Sequence, residues 1–509
     1  MNGTSMPQSP EPLWRKTATM PQFPPLTQDI EADVAVAGAG MAGIVTAYLL
    51  ANEGYKTILF DARSIANGTS GHTTAKITAQ HGLIYDELIQ HIGKEKASLY
   101  YKANETAASF IEQTILKHGI SCDFSRQDAF LYTNSDAYIE KLEKEMQAYE
   151  TLGIPGEWIG SLPDGIPGKK AVKMAGQAQF HPLSYLKALI EYLMDKNVPI
   201  FEQTTAKDID FGSPLKIKTE KGHTMTCKYI CICTHYPFYN AKGLYFSRMY
   251  PERSYLLAVK PVKPFPGGMY INAEQPSRSF REAEGAGEKL LLVGGENHKT
   301  GHGEPEICHY EALQKFAEET FGIGAFCCRW SAQDMTTLDK IPYIGPITKN
   351  EERVMVATGF RKWGMTGTHL AAMLMRDRIM QKENPYADIF SPQRFEADPM
   401  VKKFISANTD VAGQLVKGKL DMRDQSLDAL KNDEGAVVRI NGKRAGAYKD
   451  QDGNLYLVDT TCTHMGCEVK WNSGDRTWDC PCHGSRFACT GEVVEGPAKE
   501  PLKKIDQQD

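Results

Sequence analysis

The chain has 509 residues, which is too long for one ordinary domain and enough for about three. Its composition, 41% hydrophobic and 24% charged, is typical of globular proteins, and a net charge of −5 with scattered Lys and Arg gives no sign of a nucleic-acid-binding surface. The proline-rich beginning lacks the apolar segment of a secretory signal, and the long uncharged run Val34–Asn52 contains glycines that a nucleotide-binding turn explains better than a membrane span. We therefore expect a cytoplasmic protein whose 12 cysteines are mostly reduced.

A glycine-rich turn near the start of the chain predicts a dinucleotide-binding site. The apolar run Val34–Ala37 predicts a strand, a helical pattern follows the turn, and a second strand, Thr57–Phe60, ends at Asp61. Asp61 lies 18 residues after Gly43, about where an acid that binds ribose is expected. The pyrophosphate is expected at the beginning of the helix. The glycines of the turn match the spacing G-x-G-x-x-G: Gly38, Gly40 and Gly43.

Two later segments point to the same cofactor. Gly68–Thr78 is rich in small and hydroxylated residues, which either offer hydroxyl groups to a phosphate or form an ordinary connecting loop. Val354–Met375 repeats the order of strand, glycine turn and helix, with glycines at Gly359, Gly364 and Gly367. Two glycine turns from distant parts of the chain indicate one cofactor that is held from two sides.

The last part of the chain, 431–509, is strand-rich and contains the most specific motif. Cys462 and His464 form a C-x-H pattern, and a C-x-C-H pattern begins at Cys480 and ends at His483. A structural zinc site is the alternative, but zinc fingers usually pair Cys with Cys and His with His, whereas each limb here mixes the two. This combination resembles the Rieske iron–sulfur domain.

The Rieske resemblance assigns a role to each of these residues. It implies that Cys462 and Cys480 bind one iron of a [2Fe–2S] cluster and that His464 and His483 bind the other, which raises the reduction potential. It also implies a disulfide between Cys467 and Cys482 and a covering loop at Gly496–Ala498. Respiratory members have Tyr where this chain has Phe487, so we expect a potential in the lower part of the Rieske range of about −150 to +300 mV.

The first 385 residues resemble the D-amino-acid-oxidase-like family of FAD-dependent oxidoreductases. The matching pieces are the unit at 33–61, the loop at 68–71, the strand Leu290–His298 and the late glycine turn. The resemblance implies an α/β FAD-binding Rossmann-like domain with an interleaved α+β substrate domain, followed by the all-β Rieske domain. The implied FAD contacts are Gly38, Gly40, Gly43, Asp61, Arg63, Thr69, Ser70, Gly359, Gly364, Met365 and Gly367.

His72 stands where a few relatives attach FAD covalently. A loop histidine near the flavin without a bond is the alternative, and the sequence leaves both open. The substrate pocket is less well defined, because no acid–base pair stands out. Relatives often hold the substrate carboxylate with Arg and Tyr, and the residues that could fill such roles here are Arg253, Tyr255, Arg281 and His298.

We expect Cys231, Cys233, Cys327 and Cys328 to be small buried apolar residues rather than a redox or metal pair.

The expected organisation follows from these pieces. An amphipathic helix is expected near Val401–Val416 within the connector. The lead is expected to lie on the surface or to be disordered. The expected units are a lead at 1–30, the oxidoreductase at 31–385, a connector at 386–430 and the Rieske domain at 431–509. Within the oxidoreductase, FAD-binding parts are expected at about 31–82, 160–240 and 335–385, and substrate parts at about 83–159 and 241–334.

The fused cofactors predict an enzyme. We expect an FAD-dependent oxidoreductase that oxidises a small amine or amino acid and passes electrons through the Rieske cluster to an unknown external acceptor. One alternative is an NAD(P)H-dependent reductase that feeds a partner, although the sequence shows no second nucleotide motif. The other alternative is a non-catalytic redox module. Neither a nucleic-acid partner nor a membrane span is expected.

Overall fold

The structure is a computed structural model that describes residues 5–240, 242–285, 287–394, 426–440 and 442–505, with a few single positions between 404 and 414. Within these residues the helices are α1 Leu13–Thr17, α2 Met41–Asn52, α3 Tyr85–His118, α4 Asp136–Leu152, α5 Pro182–Asp195, α6 Glu306–Phe321, α7 Gly364–Ile379 and α8 Ala387–Phe390. The helix expected near Val401–Val416 lies mostly outside the described residues. None of the described helices combines the length and the apolar character that crossing a bilayer requires.

The strands of the described residues build five sheets. In chain order they are β1 Ile30–Glu31, β2 Val34–Ala37, β3 Thr57–Phe60, β4 Lys76–Ile77, β5 Ser125–Thr133, β6 Glu157–Ile159, β7 Lys170–Gln179, β8 Ile200–Phe201, β9 Ala206–Asp210, β10 Leu215–Thr219, β11 Thr224–Cys227, β12 Tyr229–Ile232, β13 Met249–Pro261, β14 Met269–Asn272, β15 Arg278–Gly285, β16 Glu288–Lys299, β17 Ile323–Thr337, β18 Tyr343–Thr348, β19 Glu351–Thr358, β20 Glu434–Ile440, β21 Lys443–Lys449, β22 Leu455–Val458, β23 Lys470–Asn472, β24 Thr477–Asp479, β25 Arg486–Ala488 and β26 Val493–Glu495.

A six-stranded sheet in the order β18-β19-β12-β2-β3-β8 carries the first glycine turn. The strands β19, β12, β2, β3 and β8 are parallel to their neighbours, and only β18 runs antiparallel. Every residue of β2 and β3 is buried, as expected for parallel strands covered on both faces. The helices α2, α5 and α7 pack together. A four-stranded sheet in the order β1-β11-β10-β9 uses β1 and β11, which directly precede β2 and β12 of the six-stranded sheet in the sequence.

A nine-stranded sheet forms the interleaved second layer. Its order is β17-β13-β16-β15-β14-β5-β7-β4, and β6 pairs with β7 on the side. The long strands β13 and β17 pair antiparallel along most of their length, and α6 packs against β13 and β16. These elements also meet the C-terminal unit, whose strands form a three-stranded sheet, β20-β21-β22, and a four-stranded sheet, β23-β24-β25-β26.

The N-terminal lead is more ordered than the sequence suggests. Leu13 is fully buried and Trp14 is 1% exposed in α1, so this part of the lead belongs to the core and does not merely cover the surface. The indole Nε1 of Trp14 donates a hydrogen bond to the carbonyl oxygen of Thr73 at 2.6 Å. An apolar pair in a short, otherwise polar stretch gave too weak a periodic signal for this docking to be predicted.

Candidate cofactor sites

One large cavity, of about 780 Å³, lies where the two glycine turns approach each other. Its walls come from the first glycine turn, the loop around Thr69, the beginning of α7 and, from the C-terminal unit, the segment Glu492–Lys499. The residues of the predicted FAD set that border this cavity are Gly38, Gly40, Asp61, Arg63, Thr69, Ser70, His72, Gly364 and Met365.

The remaining glycines of the predicted set lie behind the cavity wall, where space is too tight for a side chain. A Cβ atom on Gly43 would come within 1.8 Å of the carbonyl oxygen of Gly38. A Cβ on Gly359 would meet Thr337 at 2.4 Å, and one on Gly367 would meet Phe360 at 2.9 Å. These glycines hold the turns closely packed, which is the role that the motif gives its last glycine.

The first turn has the geometry of a phosphate-binding turn. Gly38 has a φ of +96°, which favours glycine. Gly40 caps α2, and the backbone N–H of Met41 donates to the hydroxyl of Ser70 at 2.8 Å. A Cβ on Gly40 would stand 3.1 Å from that hydroxyl. The positive end of the α2 dipole therefore borders the cavity beside the Ser70 hydroxyl, which accepts from Met41 and can still donate its own proton, an arrangement that fits a pyrophosphate.

Asp61 is held at the same turn by backbone donors. Its Oδ2 accepts from Ala39 N at 2.8 Å, and its Oδ1 accepts from Arg63 N at 2.9 Å. Burial raises the pKa of Asp61, and these two hydrogen bonds oppose that shift. Each carboxylate oxygen keeps a second lone pair, so the side chain can still accept from a ribose hydroxyl.

His72 borders the cavity as a neutral imidazole. Burial lowers its pKa to about 4, and its Nδ1 lies 2.9 Å from the carbonyl oxygen of Gly68. In the neutral ring, Nδ1 must donate this hydrogen bond, so Nε2 carries the lone pair. The indole of Trp330 holds the backbone by donating to His72 O at 2.9 Å.

The cavity also contains polar side chains that no sequence motif marked. Burial raises the pKa of Asp334 to about 7, against the opposing charge of Lys362, whose own pKa burial lowers. The hydroxyl of Ser254 is buried without a hydrogen-bond partner. Lys76 donates to the carbonyl oxygen of Tyr270 at 2.8 Å, and burial lowers its pKa to about 7. All four residues border the cavity. Ser254 and Asp334 lie 80 residues apart in the sequence and come together only because β13 and β17 pair, which no local sequence pattern predicts.

The four residues considered for catalysis occupy different places. Arg253 is fully buried, and its Nη1 lies 3.2 Å from Asp475 of the C-terminal unit. Arg281 donates to the carbonyl oxygen of Thr74 at 2.6 Å, and burial lowers its pKa to about 9. The guanidinium group of Arg253 is thus ion-paired with a carboxylate of the protein, and that of Arg281 is hydrogen-bonded to a backbone carbonyl.

Tyr255 and His298 form a pair next to the cavity. The hydroxyl of Tyr255 lies 2.9 Å from Nε2 of His298, and the two rings stack. Burial lowers the pKa of His298 to about 4, so the ring is neutral. Tyr255 borders the cavity, whereas Arg253, Arg281 and His298 do not. A catalytic role for any of the four stays a prediction.

A second site, in the C-terminal unit, brings together two thiols and two imidazoles. The neighbouring thiol of Cys480 lowers the pKa of Cys462 to about 7, and Cys462 in turn raises the pKa of Cys480. The rings of His464 and His483 lie 5.0 Å apart, with perpendicular planes. Cys467 and Cys482 form a disulfide that joins the two loops.

These residues fit a Rieske cluster. Nδ1 of His464 and Nδ1 of His483 are both buried without a hydrogen-bond partner, which is expected of atoms that bind a metal. Burial lowers both histidine pKa values to about 4, so both rings are neutral and have a lone pair to give. With Cys462 and Cys480 they form the two-nitrogen, two-sulfur donor set of a Rieske [2Fe–2S] centre.

Residues around this donor set support it. The hydroxyl of Ser485 accepts from Ala498 N at 3.0 Å and, after the larger effect of Cys480, also lowers the pKa of Cys462. Phe487 is fully buried in the same hydrophobic cluster as the cysteines. The loop at Gly496–Ala498 is therefore tied to the cluster site on one side, while it borders the large cavity on the other.

The two sites adjoin each other across the domain interface. The ring of His464 lies 6.2 Å from that of Tyr236, and the ring of His483 lies 5.9 Å from that of Phe246. Gln333 of β17 donates to the carbonyl oxygen of Gly484 at 2.8 Å. The histidine side of the cluster site therefore faces the oxidoreductase part of the same chain.

Comparisons with known proteins identify the families of both parts of the chain. The model of the FAD-dependent oxidoreductase family matches residues 33–378, and the model of the Rieske [2Fe-2S] domain matches residues 422–506. The Rieske 2Fe-2S iron-sulfur protein YhfW of Bacillus subtilis (strain 168) is 49% identical over 499 residues, which cover 98% of each chain.

Solved structures share the fold of the larger part. Glycine oxidase from Geobacillus kaustophilus has a TM-score of 0.61 at 17% identity and covers 72% of this chain and 99% of its own. L-proline dehydrogenase from P. horikoshii has a TM-score of 0.60 at 15% identity, with 72% and 98% covered. At this identity the likeness concerns the fold alone, and it confirms the predicted fold class. The chain belongs to the D-amino-acid-oxidase-like family of FAD-dependent oxidoreductases, carries a C-terminal Rieske domain, and binds FAD and a [2Fe–2S] cluster.

Proposed function

We propose that the protein is a dehydrogenase that oxidises a small amine or amino acid and delivers the electrons, by way of its Rieske domain, to an external acceptor. The observation that carries this proposal is the shared wall: Glu492–Lys499 of the Rieske domain borders the same cavity as the first glycine turn. FAD accepts a hydride, which is two electrons, and the cluster carries one electron at a time. Placing both in one chain at adjoining sites suits the stepwise removal of those electrons.

The charges of the cavity support a substrate with an amino group. Asp334 offers a carboxylate to an ammonium group, Lys362 offers a cation to a carboxylate, and the unpartnered hydroxyl of Ser254 offers a further hydrogen bond. A pKa of about 7 suits Asp334 to accept the proton that an amine must lose before it gives up a hydride at neutral pH. Glycine oxidase and L-proline dehydrogenase, which share the fold, carry amino acids in their names.

An anaerobic substrate screen tests the proposal. The holoprotein is mixed with a panel of amines and amino acids while the flavin absorbance and the EPR signal of the reduced cluster are followed together. We expect at least one compound to bleach the flavin and then produce the cluster signal. Bleaching by NADH alone would instead support a reductase that feeds a partner, and no response to either would support a non-catalytic redox module.

Variants of the cavity sharpen the test. Because hydrogen bonds to charged groups contribute about 1.5–3 kcal/mol, we expect Lys362→Met to raise KM for an amino acid about 10- to 100-fold, with a smaller effect on a simple amine. We expect Asp334→Asn to lower kcat and to remove the pH dependence near 7. Lys349→Met, on the exposed turn between β18 and β19, is the matched control and should behave as the parent. Equal KM values for Lys362→Met and Lys349→Met would contradict a role for Lys362 in substrate binding.

A further inference from the structure

A bulge in β17 places two neighbouring cysteines on the same side of the strand. Successive side chains of a regular strand point to opposite faces. Here Cys328 pairs with Ala258 of β13, whereas the next pair along, Phe326 and Val259, skips Cys327. Cys327 is therefore the extra residue of a β-bulge. As a result both cysteines pack against one hydrophobic cluster, and their sulfur atoms lie 3.4 Å apart.

The two thiols differ in exposure and in acidity. Cys328 is 2% exposed, whereas Cys327 is only partly buried. The hydrogen bond from the thiol of Cys328, helped by the nearby charge of Lys16, lowers the pKa of Cys327 to about 7. The same contact, together with burial, raises the pKa of Cys328. The sequence predicted small buried apolar residues rather than a redox pair. Cys328 is buried as expected, whereas Cys327 is only partly buried and is in contact with it.

We propose that Cys327 and Cys328 form an oxidant-reactive dithiol site, at which a hydroperoxide such as hydrogen peroxide converts the pair into a reversible vicinal disulfide. The thiolate of Cys327 attacks one peroxide oxygen, the O–O bond breaks, and protonation of the leaving oxygen gives a sulfenic acid and one water. The thiol of Cys328 then attacks the sulfenic sulfur, and a second water leaves as the S–S bond forms. Two thiols lose two electrons and two protons, and the peroxide takes up both.

The geometry of adjacent residues makes such a disulfide easy to reverse. Their Cα atoms are about 3.8 Å apart across a trans peptide bond, below the usual disulfide range of about 4.4–6.8 Å. A disulfide formed here must therefore be strained, and strained disulfides are reduced more readily than structural ones. This distinguishes the pair from Cys467 and Cys482, which lie 6.6 Å apart between their Cα atoms.

The same strand carries contacts to both cofactor sites. Just beyond the bulge, Arg329 donates to the carbonyl oxygen of Gly474 in the Rieske domain at 2.8 Å. The next residue, Trp330, holds the carbonyl of His72 beside the flavin cavity. A backbone shift at Cys327 on oxidation would reach both contacts, so oxidation is expected to perturb the flavin absorbance reversibly.

Mass spectrometry of the oxidised holoprotein tests the proposal. The full-length protein is treated with graded hydrogen peroxide, its remaining thiols are alkylated, and the peptide with Cys327 and Cys328 is analysed. We expect this peptide to lose two hydrogens, to escape alkylation and to regain both thiols with dithiothreitol. In Cys328→Ser, which lacks the partner thiol, Cys327 should instead advance to the sulfinic acid.

Cys489 supplies the matched control. It is partly exposed like Cys327, but burial raises its pKa, so it should stay alkylatable at the peroxide level that closes the pair. Cys489→Ser should behave as the parent in every readout. Oxidation of Cys489 before the pair, or a parent in which Cys327 goes to the sulfonic acid without forming the disulfide, would overturn the proposal.

Discussion

Arg253 is a buried cation at the interface between the oxidoreductase part and the Rieske domain. Its guanidinium lies 3.2 Å from Asp475 and 3.6 Å from Asp479, and all three side chains are nearly inaccessible to water. Arg486 binds the same two carboxylates at 2.9 and 3.2 Å. Replacing Arg253 by Met keeps most of the volume but leaves two buried carboxylates with one guanidinium.

The expected loss follows from this arrangement. Removing one partner of a buried ion pair destabilises a protein by about 3–5 kcal/mol, because the other charge stays buried. Arg486 still compensates part of the charge, so we expect Arg253→Met to lower the free energy of unfolding by about 3 kcal/mol. The assay is guanidinium denaturation of the holoprotein, followed by far-UV circular dichroism and by cluster absorbance, since a two-domain chain can unfold in more than one step.

A second pair across the same interface gives the control. Lys207 and Glu500 lie 3.0 Å apart on the surface, with side chains about half exposed, so Lys207→Met should leave the unfolding curve almost unchanged. Adding Asp475→Asn to Arg253→Met should restore part of the lost stability, because one uncompensated charge is then gone. An Arg253→Met curve that coincides with that of Lys207→Met would refute the reasoning.

Three further outcomes are expected. Phe487→Tyr should raise the cluster's reduction potential in a redox titration, because a hydroxyl donor stabilises the more negative reduced cluster; an unchanged potential would count against this. Acid precipitation should leave the flavin in the supernatant; a yellow pellet would show instead that the flavin is bonded covalently to His72, through the Nε2 atom that the hydrogen bond from Nδ1 to Gly68 O leaves with its lone pair. Although burial opposes it, Arg486 and Arg253 hold the pKa of Asp475 below its ordinary value, so its contribution to stability is complete above about pH 4 and is lost as pH falls through the depressed pKa. Acid unfolding of Asp475→Asn should accordingly be less steep.

Local spacing was enough to predict the features that a few neighbouring residues impose on the backbone. Gly38 and Gly40 form a turn whose geometry depends on a few neighbouring residues, so the motif carries the shape. The same is true of Cys462 and His464, which stand two positions apart in one loop. These patterns indicated an FAD fold with a Rieske domain, and the comparisons confirm both.

Pairings between distant strands lay beyond the reach of the sequence. Arg253 was a candidate for substrate binding, yet its charge is matched by Asp475, 222 residues further along the chain. Asp334 and Lys362 belong to no recognisable sequence motif. They border the same cavity because β17, which contains Asp334, lies beside the glycine turn that contains Lys362.

The bulge that brings the sulfur atoms of Cys327 and Cys328 into contact likewise arises from the register between β17 and β13. Short motifs record what neighbouring residues impose on the backbone, and that much the sequence determined alone. The partners of each buried charge and thiol depend on how sheets and domains pack, and only the tertiary structure decided them.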